Sequence, residues 1–375
     1  MSSLAEKIHG AIVGGAIGDA MGAPVEGRTA VNIAEIARGH DYNTFLPPVG
    51  HKPGEFPSGK GDGRITDDTL MIEVLVKAYA QKRDHLDAYD YEKIMCPMIR
   101  GITAWVPEYQ KDMNLWDRFS GAEQIPWLRL RMNQEPRSGG LGNNVNCGFA
   151  MWALPIGAAN AGDPFSAYGE AVLLGMAHNM SFGLEAGAVM AAMAAAAFAP
   201  GTTQDAVFAA GMDLAKDGTH NALRATLAAA NPADDLPTFI RRVREAFVPY
   251  DPKTLPPGYV ADGEITDNGM PSRIRSIEEL PVAAAALKYG GGDFLKTIRA
   301  AVEYGRDCDS IAGMACGLFG ALYGVAKIPA SLRTAVDAAN RRDFAKLAKD
   351  FYAVVQDIHA KDAARFDARS KAIKN

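Results

Sequence analysis

An all-α fold, a compact multi-helix domain with long loop insertions, is what this 375-residue sequence predicts. Three observations carry the prediction. Apolar residues recur at a period near 3.6 through most of the chain, convincing period-2 alternation is nearly absent, and short polar or Gly/Pro breaks separate the periodic segments. Hydrophobic residues make up 48% and charged residues 22%, which supplies a sizeable core with too little charge for disorder.

The elements follow in chain order. In "GAIVGGAIGDAMGAP", Gly10, Gly14, Gly18 and Gly22 recur every fourth residue. Glycine inside a helix costs roughly 1 kcal/mol relative to alanine, so the repeat predicts close helix packing as compensation. "LMIEVLVKAY" sets Leu70, Met71, Val74, Leu75 and Ala78 on one stripe. Residues 81–140, with Trp105, Trp116 and Trp127, read as irregular. Helical periodicity returns in "SAYGEAVLLGMAH", "EAGAVMAAMAAAAF", "TQDAVFAAGMDLAK", "THNALRATLAAA" and "LPTFIRRVREAF". A second irregular stretch, 248–278, precedes "ELPVAAAALKYG" and "DFLKTIRAAVEYG". "SIAGMACGLFGALYG" repeats the glycine spacing at Gly313 and Gly317, with Gly320 and Gly324 on the adjacent surface. Neither irregular stretch has linker-like composition, so a single domain over 1–375 is expected, with inserted or variable loops near 81–140 and 248–278.

Charge and cysteine usage narrow the setting. A net charge of -5 without long Lys/Arg runs argues against a nucleic-acid partner. Cys96, Cys147, Cys308 and Cys316 show neither CxxC nor zinc-finger spacing, which suggests a reducing compartment without a disulfide scaffold. The first ten residues, "MSSLAEKIHG", lack signal-peptide features, and the most apolar tract, 186–200, is too short and alanine-rich for a convincing membrane span. A cytoplasmic protein with no membrane partner is expected.

Two acidic clusters stand out. In "ITDDTLMIEVL", Thr66 is placed to cap a helix whose first turn holds Asp67 and Asp68, where a helix N-terminus favours negative charge. Far downstream, "GRDCDSIAG" sets Asp307 and Asp309, followed by Ser310, before another apolar helix. Capping alone explains part of each. Should the two helix starts converge, four carboxylates and several hydroxyls form an oxygen-rich cage suited to magnesium or manganese. Zinc is the poorer match, because no Cys/His set accompanies the acids. Upstream, Asp19 and Glu26 in "GDAMGAPVE" read as turn or loop acids, with Glu26 a candidate for substrate contact or water positioning.

Taken together, these segments resemble the ADP-ribosylglycohydrolase family. "GDAMGAPVE" resembles its early GDAxGxPxE signature, "TDDT" matches directly, and "GRDCDSIAG" resembles its late GxDxDTxA motif. The resemblance implies a mostly helical fold and two divalent cations, Mg2+ or Mn2+, held by Thr66, Asp67, Asp68, Asp307, Asp309 and Ser310. It also implies that Glu26 contacts substrate or helps organise catalysis. Ser310 stands where the family commonly has threonine, and Cys308 replaces a small polar residue.

The segment "SGGLGNNVNCGFAMWALPIG" is a further island. Gly139, Gly140 and Gly142 permit close backbone approach, and Asn143, Asn144 and Asn146 offer polar edges. A turn before a buried helix explains the same letters, whereas the corresponding family loop surrounds phosphate and ribose. The resemblance therefore marks Gly140, Gly142, Asn143, Asn146, Cys147, Gly148, Trp152 and His178 as substrate-binding residues. Cys147 takes an Asn-like position and Trp152 a frequent Arg-like one, which points to a shifted substrate or to a core role for Trp152. For His178, an ordinary helix-terminal role competes. "ADGEITDN" at 261–268 echoes "GDGRITDD", and Thr266, Asp267 and Asn268 would sit on an inserted loop over the pocket or arise by chance.

The expected activity is binuclear-metal-dependent hydrolysis of an N- or O-glycosidic bond in an ADP-ribosyl or related ribosyl substrate. Glu26, Asp68 and Asp309 are the catalytic candidates. The partner would be a small ribosyl or nucleotide-like molecule, or an ADP-ribosylated protein. The alternatives are a small-molecule hydrolase without ADP-ribose activity and a non-catalytic ligand-binding relative. A dehydrogenase reading of the glycines fails for want of a strand–Gly-loop–helix unit.

Overall fold

Helices account for nearly all the regular structure of the computed structural model, which describes residues 2–49, 60–106, 111–114, 116, 121–143, 147–247 and 275–374. The N-terminal part contains α1 (Leu4–Gly22), α2 (Ala30–Ile36) and α3 (Asp67–Lys82). Then come α4 (Ala88–Asp90), α5 (Cys96–Gly101), strands β1 (Thr103–Val106) and β2 (Lys111–Asn114), and α6 (Gly121–Arg131). The central helices are α7 (Leu154–Ala159), α8 (Pro164–Gly175), α9 (Ser181–Phe198), α10 (Gln204–Leu214), α11 (Asp217–Ala229) and α12 (Leu236–Ala246). The C-terminal set is α13 (Arg275–Gly290), α14 (Phe294–Tyr304), α15 (Cys308–Tyr323), α16 (Ala330–Asn340) and α17 (Phe344–Lys374).

Local chemistry sets many of the boundaries. Ser3 and Glu6 form a reciprocal capping box at the start of α1, the Ser3 amide donating to the carboxylate at 2.7 Å. Asp163, Asp235 and Asp293 cap α8, α12 and α14 through side-chain bonds to backbone amides. At the other end of α3, Arg83 takes a left-handed conformation with φ 56°, which stops the helix.

The four-residue glycine ladders are the spine of the core. α1 lies directly against α15. A Cβ at Gly10 would stand 2.7 Å from the Gly320 carbonyl oxygen, one at Gly14 2.5 Å from that of Cys316, and one at Gly18 2.1 Å from that of Ala312. In the reverse direction a Cβ at Gly320 would meet the Gly10 carbonyl oxygen at 1.9 Å. No side chain fits such a seam, which is the compensation the sequence demands for so much helical glycine. Around the seam pack α3, α9, α13 and α14.

Three expectations need correction. Thr103–Val106 and Lys111–Asn114 pair as antiparallel strands, Trp105 opposite Asp112, rather than forming loop. The β2 strand Lys111–Asn114 is nearly all exposed, so it lacks the alternation that marks a half-buried strand. The α3 stripe is not one-sided: Asp68 through Val76 are all buried, because other elements cover the helix on several faces. The helix α9 is, among the described residues, the one long and apolar enough to cross a membrane, yet 78% of that window is buried inside the protein. The echo at 261–268 lies outside the described residues. All four cysteines are buried free thiols.

Candidate functional site

Both acidic clusters hang from α1. Asp19, one residue after Gly18, is fully buried and reaches the first turn of α3. It accepts from the Thr66 amide at 3.0 Å, the Thr66 hydroxyl at 2.7 Å, and the amide and hydroxyl of Thr69. Asp19 rather than Thr66 thus supplies the side-chain cap of α3, whose N-cap residue makes no side-chain cap bond of its own. The Thr66 hydroxyl also lies 3.3 Å from Asp68 Oδ2. Burial pushes the Asp19 carboxyl above its usual range, and the Thr66 and Thr69 donors offset part of that rise.

The second cluster is placed by the end of the same helix. A Cβ at Gly22 would collide with the Asp309 backbone at 2.5 Å, so the missing side chain lets α15 begin against α1. The Cys308 thiol donates to the Gly22 carbonyl at 3.4 Å, as expected of a residue turned from the acids. Upstream, Gly27 and Arg28 pair with Arg306 through backbone bonds of 2.7 and 2.9 Å. These bonds hold Arg306 at φ 58° and tie Glu26 to the segment carrying Asp307.

The result is convergence of the two clusters. Ligand oxygens of Asp19, Asp68 and Asp309 lie within 4.8 Å of one another, and so do those of Glu26, Asp307 and Asp309. A third group joins Cys147 and Glu279 to Asp307 within the same limit. Asp68 and Asp309 are 4% and 3% exposed, and Oδ1 of each is buried without a hydrogen-bond partner. Burial, then Asp19 and Asp67, pushes the Asp68 carboxyl well up. Burial, then Glu26, does the same for Asp309, with Lys60 opposing. Asp67 is raised to about 6 by burial and then by Glu26. So many crowded, desolvated carboxylates are unfavourable by themselves, and a multivalent cation is the group that would relieve them. The donors of the first two groups are all-oxygen and fit a hard ion. Ser310 is buried in the same place, its Oγ 3.9 Å from Met151 Sδ.

The expected pocket residues divide. Cys147 is 5% exposed and donates from Sγ to Asp307 Oδ2 at 3.1 Å, with its thiol kept protonated by burial and by the Asp307 charge. Trp152 is instead a core side chain, 0% exposed, with its ring centroid 4.7 Å from that of Phe149 and 5.3 Å from that of His178. His178 is equally buried; its Nδ1 meets the Tyr91 hydroxyl at 2.9 Å, and burial pushes its pKa down to about 3. Gly139 and Gly140 pack on the turn that carries His178: a Cβ at Gly140 would stand 2.6 Å from the Asn179 carbonyl oxygen. Asn143 Nδ2 donates to the His178 carbonyl at 2.7 Å, which closes the same turn. Close backbone approach is therefore real here, but its partner is the protein. Gly142 is exposed with φ 79°, Gly148 is buried, and Asn144 and Asn146 lie outside the described residues.

Two residues at the site were not legible as site residues. Lys60 ion-pairs with Glu26, and its Nζ is 4.0 Å from Asp309 Oδ2. Nothing in its glycine-rich surroundings distinguishes this lysine from a surface one. Glu279, 1% exposed, did leave a signal: "SIEELP" puts two acids at the start of an otherwise apolar helix.

Comparison with known proteins bears on the family and the fold. The family model described as ADP-ribosylglycohydrolase matches residues 1–361. An uncharacterized protein of Escherichia coli (strain K12), YegU, is 27% identical over 353 residues, covering 92% of this chain and 95% of its own. A solved structure titled "ADP-ribosylglycohydrolase-related protein complex" superimposes with a TM-score of 0.60 at 21% identity, covering 95% of this chain and all of its own, which shows a shared fold.

Proposed function

The chain belongs to the ADP-ribosylglycohydrolase family, and we propose that it hydrolyses an N- or O-glycosidic bond of an ADP-ribosyl or related ribosyl compound with two divalent cations, Mg2+ or Mn2+. The observation that carries this reading is the pair of buried, unpartnered oxygens, Asp68 Oδ1 and Asp309 Oδ1, in acidic groups that share Asp309. Thr66, Asp67, Asp68, Asp307, Asp309 and Ser310 would hold the ions. When bound, the ions would supply Lewis-acid chemistry and lower the pKa of water at the site.

The chain's own residues do the rest. Asp19 fixes the Thr66 hydroxyl and, through the first turn of α3, the direction of Asp68. Glu26 is the exposed carboxylate of the group and so the one that reaches incoming solvent. It accepts the proton of a water whose oxygen bonds to the anomeric carbon. The bond from that carbon to the leaving nitrogen or oxygen breaks, and the leaving group takes the electron pair and the proton that Glu26 had accepted. Cys147, which stands at an Asn-like position of the family loop, motivates a second reading on the same scaffold, in which the sugar is ribosyl but the remainder is not ADP.

Hydrolysis of ADP-ribosyl and simpler ribosyl glycosides, measured with Mg2+ or Mn2+ and again with chelator, tests the proposal. Cation-dependent release of the free sugar is expected, with Asp309→Asn lowering kcat/KM by about 10^3-fold or more. Full turnover in chelator would overturn the reading. Turnover of simple ribosides but not of ADP-ribosyl compounds would select the second reading.

A further inference from the structure

The two acidic groups that share Asp309 differ in what else faces them. Asp19, Asp68 and Asp309 are all buried, and Asp19 is held by the hydroxyls and amides of Thr66 and Thr69. The outer group, Glu26, Asp307 and Asp309, includes an exposed carboxylate. It also meets a protein cation: Lys60 ion-pairs with Glu26 and stands 4.0 Å from Asp309 Oδ2. The Lys60 side chain is 30% exposed.

We propose that Lys60 makes the two cation positions unequal, competing with a divalent ion for two acids of the outer group, Glu26 and Asp309, but for only the shared Asp309 of the inner group. The inference rests on the reading of the acids as a two-cation site. An ammonium and a divalent ion seek the same lone pairs, and two like charges drawn to one carboxylate repel each other in a partly desolvated setting. The inner position therefore fills first, and the outer one fills as the ammonium gives way. Lys60 is in this sense a positioning residue: it holds Glu26 near Asp309 and sets the concentration of cation at which the pair is complete. The site then responds to divalent cation over two separate ranges rather than one.

Titration of the full chain with Mn2+, with free ion followed by electron paramagnetic resonance and heat by calorimetry, tests this without reference to turnover. The wild-type protein is expected to bind in two unequal steps. Lys60→Met and Lys60→Gln should tighten the weaker step by about 10-fold or more and leave the stronger within about 2-fold, whereas Lys60→Arg, which keeps the charge, should stay close to wild type. An unchanged ratio of the two steps in both neutral variants, or a weaker outer step, would overturn the proposal. Absence of Mn2+ binding in every variant including the wild type would instead break the two-cation reading, and the inference with it.

Discussion

Glu170 and the Asp68–Asp309 pair are equally well buried, yet the protein treats them in opposite ways. Glu170, 6% exposed, has both oxygens saturated: Oε1 accepts from the Tyr79 hydroxyl and the Leu86 amide, each at 2.8 Å. Its Oε2 meets Asn160 Nδ2 at 2.6 Å and His85 Nδ1 at 2.5 Å. His85 then continues to Asp362 on α17 at 3.0 Å. Asp68 Oδ1 and Asp309 Oδ1 receive no such donor. Where this chain buries an acid for architecture it supplies the donors along with it. The acids at the heads of α3 and α15 instead keep buried oxygens without protein donors, in groups that could hold a divalent cation.

The contrast predicts opposite responses to removing the charge. The largest effect on stability falls at the saturated acid. Glu170→Leu should destabilise the protein by about 3–5 kcal/mol, because it strands His85, Asn160, Tyr79 and the Leu86 amide. Chemical denaturation in chelator measures this, and a loss under about 1 kcal/mol would mean that Glu170 is no hub.

A smaller effect is pH-linked. Burial lowers the His85 pKa, but Glu170 and Asp362 outweigh it and raise the value to about 9. Because the folded value exceeds the unfolded one, near 6.5, His85 contributes fully below that unfolded value and loses its contribution as pH rises through about 9. With its side chain 28% exposed, solvent screening trims the contribution to about 2 kcal/mol. Unfolding free energy followed from pH 6 to 10 should show this decline, and His85→Gln should flatten it. The same slope in both proteins would place the titrating group elsewhere.

The smallest effect belongs to the site. Asp68→Asn in chelator should leave stability within about 1 kcal/mol of wild type or raise it, since it removes a desolvated charge that has Asp19 and Asp67 as neighbours. A loss comparable to that of Glu170→Leu would erase the distinction between the two kinds of acid.

How much of this could be read in the letters depended on whether a residue's role was local. The helices were legible, since periodicity is a local property, and the glycine spacing of α1 and α15 announced a tight seam. "TDDT" and "DCDS" were legible as helix heads with too many acids for capping alone. Their convergence was not, because it depends on the α1–α15 seam and on Asp19 reaching across to α3, both long-range facts. Trp152 and His178 stayed ambiguous for a related reason. A polar-tipped ring in an apolar setting suits a pocket and a core alike, and only tertiary packing put Trp152 beside Phe149 and His178 beside Tyr91. Lys60 left no local trace at all.

The central claim is that the oxygens at the heads of α3 and α15 are the cation ligands. Anomalous diffraction from crystals of the Mn2+-loaded protein tests it most directly. Two peaks are predicted, one touching Asp68 and Asp309 and the other touching Asp307 and Asp309. Peaks elsewhere, or Asp68 Oδ1 and Asp309 Oδ1 each satisfied by protein donors with Mn2+ in excess, would contradict it.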